Sequence, residues 1–252
     1  MALLELDNVR RSFGGLVAVD GVSFSVRPGQ IKAIIGPNGA GKTTLFNLIS
    51  GVLKPDSGRI WFKSGRIGGR RPYQIANAGL SRTFQTPSLF LRMSVLQNVM
   101  VGRHRLSAWE FAGCGLRLPA QSREERAIRQ AALSRLEFVG LARLADVPAG
   151  ALAFGQRRLV ELARALATEP ELLLLDEPAS GLNSKEREDL AALISRTREQ
   201  GVTILLIEHD MSLVMDISED ILVLDHGLAI AEGPPTVVQN DPKVIAVYLG
   251  TG

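Results

Sequence analysis

Apolar residues come in short runs toward both ends of the chain and at helical spacing through its middle. The runs Leu3 to Val9, Val22 to Val26 and Ile31 to Ile35 predict strands that lead into a glycine-rich turn. A helix is expected from about Lys42 to Ser50, stopped by Gly51. After an apolar stretch at Ile60 to Lys63, the Gly- and Arg-rich Ser64 to Pro72 reads as a solvated turn or hairpin tip. From Pro87 to about Thr168 the period becomes helical, with an apolar, glycine-broken stretch at Leu106 to Leu118. Ser122 and Glu125 form a candidate capping box, and Ile128, Ala131, Ala132, Leu136 and Val139 recur on one face behind it. A second helix is expected over Arg157 to Thr168, with Leu159, Leu162, Ala163 and Leu166 on one side. The run Leu172-Leu173-Leu174-Leu175 is what a parallel strand buried on both faces requires. Behind it come a helix over Ser184 to Gln200 and a strand over Val202 to Ile207, ending at Glu208-His209. Ile221 to Leu224 and Leu228 to Ala231 flank a hairpin turn at Asp225-His226-Gly227. Without internal repeats, this pattern describes a β-rich start, an α/β core and an inserted helical block.

At 252 residues the chain has room for one large domain with a full core. No apolar run approaches the roughly 18 to 20 residues of a membrane span, and Met1 to Arg11 lacks a signal-peptide core, so a cytoplasmic protein is expected. Cys114 is the one cysteine, which excludes an internal disulfide. The 29 basic and 26 acidic residues are too evenly scattered to mark a nucleic-acid binder.

Candidate chemistry begins at Gly36-Pro37-Asn38-Gly39-Ala40-Gly41-Lys42-Thr43, followed by Thr44. A strand delivers the chain to a turn whose glycines let backbone amides converge on an anion, and a helix starts there with its positive end toward phosphate. Lys42 would reach the β- and γ-phosphates, and the Thr43 hydroxyl would coordinate Mg²⁺. A plain glycine turn does not account for the whole spacing. Asp176 and Glu177, at the end of the buried strand, are expected to divide two tasks. Asp176 would hold the Mg²⁺ shell, and Glu177 would orient or deprotonate the attacking water. His209 ends a second parallel strand, where its side chain would lie near Glu177 and sense the γ-phosphate. His104 and His226 are expected at the surface and in a turn. The amide of Gln85 would ligate Mg²⁺ and link the site to the helical block.

In this order the residues resemble the ATP-binding cassette (ABC) family of ATPases across nearly the whole chain. The resemblance implies an α/β fold with a P-loop NTPase core, an N-terminal antiparallel β subdomain and an inserted α-helical subdomain. One domain over 1–252 is expected, with its core at about 1–85 and 160–252 and the helical subdomain at about 86–159. Phe13 matches the aromatic that stacks on adenine; a core position in the first sheet is the alternative. Gln85 matches the Q-loop, Asp176 and Glu177 the Walker B pair, Ala179-Ser180-Gly181-Leu182-Asn183 the D-loop, and His209 the H-loop. The family signature is usually Leu-Ser-Gly-Gly-Gln, and here it is Leu152-Ala153-Phe154-Gly155-Gln156. In the family this segment binds the ATP held by a partner subunit, which makes Ala153, Phe154, Gly155 and Gln156 ligands in trans. Ala153 lacks the hydroxyl, and a hydrogen bond to a charged group is worth roughly 1.5 to 3 kcal/mol. Backbone donors and the positive end of the following helix are expected to compensate.

This signature, Arg82-Thr83-Phe84-Gln85, the D-loop and the C-terminal Val247-Tyr248-Leu249-Gly250 look like the ATPases of branched-chain amino acid importers. The resemblance then implies ATP and Mg²⁺ as cofactors and a second ABC ATPase subunit as partner, in a homo- or heterodimer. It also implies integral membrane permease subunits, an indirect link to a substrate-binding protein, and a place at the cytoplasmic face of the membrane. The permease would be gripped near Thr86 to Gln97, where Leu89, Phe90, Met93 and Val95 are either contact residues or subdomain core. The rival readings are a lipopolysaccharide exporter ATPase, a soluble non-transport ABC protein, and a kinase or GTPase. The kinase or GTPase fails for want of an Asn-Lys-x-Asp guanine motif and on the presence of Gln156 with His209.

Overall fold

The computed structural model describes residues 1–103 and 119–249. The stretch Leu106 to Leu118, His104, Cys114 and Gly250 lie outside the described residues, as does the side chain of Ser122. The chain divides into two compact units, residues 1–82 with 171–252, and residues 83–170.

The first unit holds two sheets. In the smaller, β1 (Leu4–Phe13) pairs antiparallel with β2 (Leu16–Val26) on one side and β4 (Ser57–Phe62) on the other, and β5 (Gly65–Arg66) closes the edge. Both first strands run beyond the apolar stretches that predict them. Their far ends carry Arg10, Arg11, Ser12 and exposed Leu16, so the period-two pattern is lost where one face meets solvent. The larger sheet has the order β10-β9-β3-β8-β7-β6, made by β3 (Ile31–Ile35), β6 (Leu80–Arg82), β7 (Leu172–Asp176), β8 (Thr203–Ile207), β9 (Asp220–Asp225) and β10 (Leu228–Gly233). All its pairings are parallel except β9 with β10, where His226 sits in the hairpin turn as expected. Every residue of β3, β7 and β8 is buried, which explains the unbroken apolar runs. Lys32 is the exception in composition: wholly buried, it is paired with Asp220 at 2.6 Å and with Glu232, tying β3 to β9 and β10.

Helix α1 (Lys42–Ile49) packs Leu45, Phe46, Leu48 and Ile49 into this core. The turn expected to end at Pro72 in fact ends there because a short helix, α2 (Pro72–Asn77), begins with proline in its first turn. Helices α6 (Ser184–Glu199), α7 (Met211–Ile217), α8 (Pro235–Val238) and α9 (Pro242–Leu249) complete the unit. Asn183 caps α6 by accepting from the Glu186 amide while Glu186 accepts from the Asn183 amide, so the D-loop ends in a reciprocal box.

Among the described residues, the second unit holds α3 (Val95–Arg103), α4 (Pro119–Phe138) and α5 (Phe154–Ala167), with two single turns of 3₁₀ helix between α4 and α5. Helix α4 starts at Pro119, so Ser122 lies inside it and is not the N-cap. Ala132, Leu136 and Val139 are buried, and Ile128 and Ala131 half-buried, as the periodicity predicts. A Cβ on Gly102 would stand 2.3 Å from the Arg164 carbonyl, so this glycine sets how closely α3 lies on α5.

Candidate functional site

Strand register builds the site in the first unit. Ile34 on β3 lies opposite Ile207 on β8, and Ile207 lies opposite Asp176 on β7, so all three strands end in one row. The glycine loop, His209 and Glu177 therefore leave the sheet side by side at its carboxyl edge, where parallel α/β sheets bind ligands.

The loop itself tolerates only glycine at its tightest points. A Cβ on Gly36 would come within 2.0 Å of the Leu224 carbonyl, and one on Gly41 within 2.2 Å of the Ala18 carbonyl. Gly41 also has φ of 100° and forms the N-cap of α1. Among the described residues, the amides of Gly39, Gly41, Lys42, Thr43 and Thr44 donate to no protein acceptor. They fit a phosphate chain, and the first turn of α1 adds its positive end. The Lys42 ammonium is buried and donates to the carbonyls of Gly36 at 2.7 Å and Pro37 at 2.9 Å. Burial lowers its pKa, against the raising pull of Glu177 and then Asp176.

Asp176 is held by Arg82, which enters the sequence reading only as the first residue of Arg82-Thr83-Phe84-Gln85. Arg82 ends β6, registered beside Leu174 of β7, and its guanidinium donates to Asp176 Oδ2 at 2.9 Å. It also donates to Asn47 Oδ1 at 2.7 Å and Ser50 Oγ at 2.9 Å, and it lies over the Phe46 ring. The Arg82 and Asp176 side chains are 8% and 5% exposed, so this is a buried ion pair. Desolvation still holds the Asp176 pKa above the usual carboxylate range, with Glu177 adding to it and Arg82 and Lys42 opposing.

Glu177 has φ of 48°, uncommon for a residue with a side chain. Its amide donates to the Ile207 carbonyl at 2.9 Å, and this holds the turn. The conformation directs its carboxylate to His209, where Oε1 and Nε2 share a hydrogen bond of 2.8 Å. Beneath them Glu208, buried at the end of β8, accepts from three backbone amides: Ala179 at 2.7 Å, His209 at 2.9 Å and Asp210 at 3.3 Å. One carboxylate thus ties the start of the D-loop to the His209 turn. A charged residue closing a buried strand was the only sequence signal for Glu208, while Arg82 ends the short β6, which no local pattern marks. Phe13 is exposed, with Arg11 over its ring, so it is not a core residue of the first sheet.

The second unit carries Gln85 and the 152–156 segment, and both side chains of most interest there, Gln85 and Phe154, are exposed. Helix α5 begins at Phe154 with Ala153 as N-cap, three residues ahead of the expected start at Arg157. The Gln156 side chain explains the earlier start by accepting from the Ala153 amide at 3.1 Å. Phe154, Gly155 and Gln156 thus form the first helical turn, whose amides have no partners inside the helix. Arg157 braces the approach through the carbonyls of Gly150 and Leu152. Of the expected permease contacts, Phe90 is exposed and Leu89 and Met93 are half-buried, but Val95 is core. Phe84 and Leu91 are exposed as well, and Asn98 holds the intervening loop through Phe90, Met93 and Ser94.

A glycine cradle and buried lysine after β3, with two consecutive carboxylates at the end of β7, make a nucleotide-hydrolysing site of the ABC type. The profile of the ABC transporter family matches residues 19–180, and a second, described as a branched-chain amino acid ATP-binding cassette transporter, matches 230–252. The chain belongs to the ABC transporter ATPase family, and it binds ATP. It is 45% identical over 249 residues to the high-affinity branched-chain amino acid transport ATP-binding protein BraF of Pseudomonas aeruginosa, covering 98% of each chain. To LivG of Escherichia coli strain K12, which carries the same description, it is 44% identical over 250 residues, again 98% of each. The solved ADP conformation of an ATP-binding cassette of an ABC transporter superimposes with a TM-score of 0.86 at 36% identity over 100% of both chains.

Proposed function

We propose that this chain is the ATP-hydrolysing subunit of a membrane importer for branched-chain amino acids. The observation that carries the hydrolytic part is the 2.8 Å contact of Glu177 with His209, on strand ends adjoining the glycine loop. Glu177 orients the attacking water and takes its proton, and His209 fixes the carboxylate and meets the γ-phosphate. Lys42 and the amides of Gly39 and of residues 41–44 bind the phosphates, Phe13 stacks on the base, and Gln85 links the site to the helical unit as the resemblance implies. Mg²⁺, held by Thr43, by Asp176 through water and by Gln85, would polarise the phosphate oxygens. The donor chemistry suits Mg²⁺, which takes hydroxyl, amide and carboxylate oxygens and keeps water and phosphate in its shell.

The partners are a second cassette, contributing its own Ala153 to Gln156 segment across the ATP, and permease subunits that meet the exposed Phe84, Phe90 and Leu91. No described helix is long and apolar enough to cross a membrane. From the likeness to ATP-binding proteins of transporters we assign the chain to the cytoplasmic face, held there by the permease, with its two compact units acting as the core and helical subdomain of one cassette. The full-length likeness to BraF and LivG supports the branched-chain substrate class. The test is reconstitution with its permease and binding protein in liposomes. Leucine, isoleucine or valine should raise ATP hydrolysis and enter the vesicles only with ATP inside the cassette compartment, and indifference to all three would overturn the substrate assignment.

A further inference from the structure

Helix α5 carries three charged side chains to which the hydrolytic reading gives no task. Arg158, Glu161 and Arg164 follow one another at three-residue spacing, and Glu161 is only 3% exposed. All three meet the main chain of residues 84–88. Arg158 Nη2 donates to the Gln85 carbonyl at 3.1 Å, and Arg164 Nη1 to the Ser88 carbonyl at 2.7 Å. One Glu161 oxygen faces the amides of Phe84 and Ser88 at 3.4 and 3.5 Å, long contacts that act mainly through charge. Apolar side chains would fill a helix interface at lower desolvation cost, so buried charges here need an explanation beyond packing. With the Arg164–Glu161 ion pair at 3.6 Å, these contacts to the main chain hold the path of the loop, and the Gln85 side chain is exposed.

Arg158 also reaches the other way. Its guanidinium lies over the Phe154 ring, 4.9 Å from the centroid, in the first turn of the same helix. Phe154 follows Ala153, where the hydroxyl of the usual signature is missing, and 45% of it is exposed. A planar guanidinium can stack on a ring and donate in its plane at once; an ammonium cannot.

We propose that Arg158 is a positioning residue that locks the Phe154 ring to the Gln85 main chain, so that the signature segment and the 84–88 loop act as one body when ATP closes the cassette dimer. This rests on the cassette reading above. The test measures ATP hydrolysis by the assembled transporter for Phe154→Ala, Gln85→Ala and the pair, in chains carrying Arg158, Arg158→Met or Arg158→Lys. With Arg158 present, the double variant should lose at least fivefold less than the product of the single losses. With Met or Lys there, the losses should simply multiply. Arg158→Lys should lower kcat several-fold with KM for ATP within twofold, and ADP affinity of each isolated chain certifies that its nucleotide core is folded. Losses that multiply with Arg158 in place, or a kcat restored in full by lysine, would overturn the proposal while leaving the cassette reading intact. A wild-type complex that hydrolyses no ATP would overturn the cassette reading itself.

Discussion

Arg82→Met should make the stability of this protein depend steeply on pH. The side chain donates to Asp176, Asn47 and Ser50 at 2.9, 2.7 and 2.9 Å, and the Asp176 pair is almost wholly buried. Methionine of similar length leaves the Asp176 carboxylate without its cation, and breaking a buried pair in this way costs about 3–5 kcal/mol. The sign of the pH effect follows from desolvation, which already raises the Asp176 pKa although Arg82 opposes it. A carboxyl raised in the folded state contributes stability below its unfolded pKa and loses it as pH rises through the folded value. Removing Arg82 moves that folded value higher still. The deficit against wild type should then be larger at pH 8 than at pH 5, because protonation of Asp176 becomes easier as pH falls. What remains at low pH is the loss of the charge-assisted hydrogen bonds to Asn47 and Ser50, about 1.5–3 kcal/mol each. Urea denaturation followed by circular dichroism at both pH values measures this directly. Adding Asp176→Asn should recover about 2 kcal/mol at pH 8, since no unpaired charge then stays buried. A deficit under about 1 kcal/mol at pH 8, or one that does not shrink on acidification, would refute the reasoning.

Three further outcomes follow from the same geometry. Glu177→Gln should retain ATP binding while phosphate release falls by about 10²–10⁴, and a rate above a tenth of wild type would remove Glu177 from its role. Gly41→Ala places a Cβ 2.2 Å from the Ala18 carbonyl at φ of 100°, so calorimetric ATP affinity should fall at least about tenfold in a folded chain; unchanged affinity would contradict the cradle. Glu208→Gln turns an amide NH₂ toward backbone N–H groups that now donate to a carboxylate. It should cost about 1–3 kcal/mol in denaturation and lower kcat by loosening the His209 turn; if neither changes, Glu208 does not hold the D-loop.

How much could be read from the chain depended on whether a residue's job is local. The buried strands β3, β7 and β8 were legible because burial on both faces demands an unbroken apolar run. The short α2, α7, α8 and α9 and the three-residue β6 were not, because so few residues show no period. The early start of α5 turned on one side-chain cap at Gln156, and Val95 could be told from a contact residue only by its burial.

The sequence by itself determined the chemistry on offer: a glycine loop ending in Lys42 and Thr43, a carboxylate pair after a buried strand, and a histidine after another. These are legible because each needs particular residue types at short, fixed spacing. Only the tertiary structure decided which groups hold that chemistry in place. Arg82 is 94 residues from Asp176, Glu208 is 29 from Ala179, and Arg158 is 73 from Gln85. A charge acquires such a partner only when sheet register and helix packing bring the two together and exclude water, and no local pattern in the chain records that.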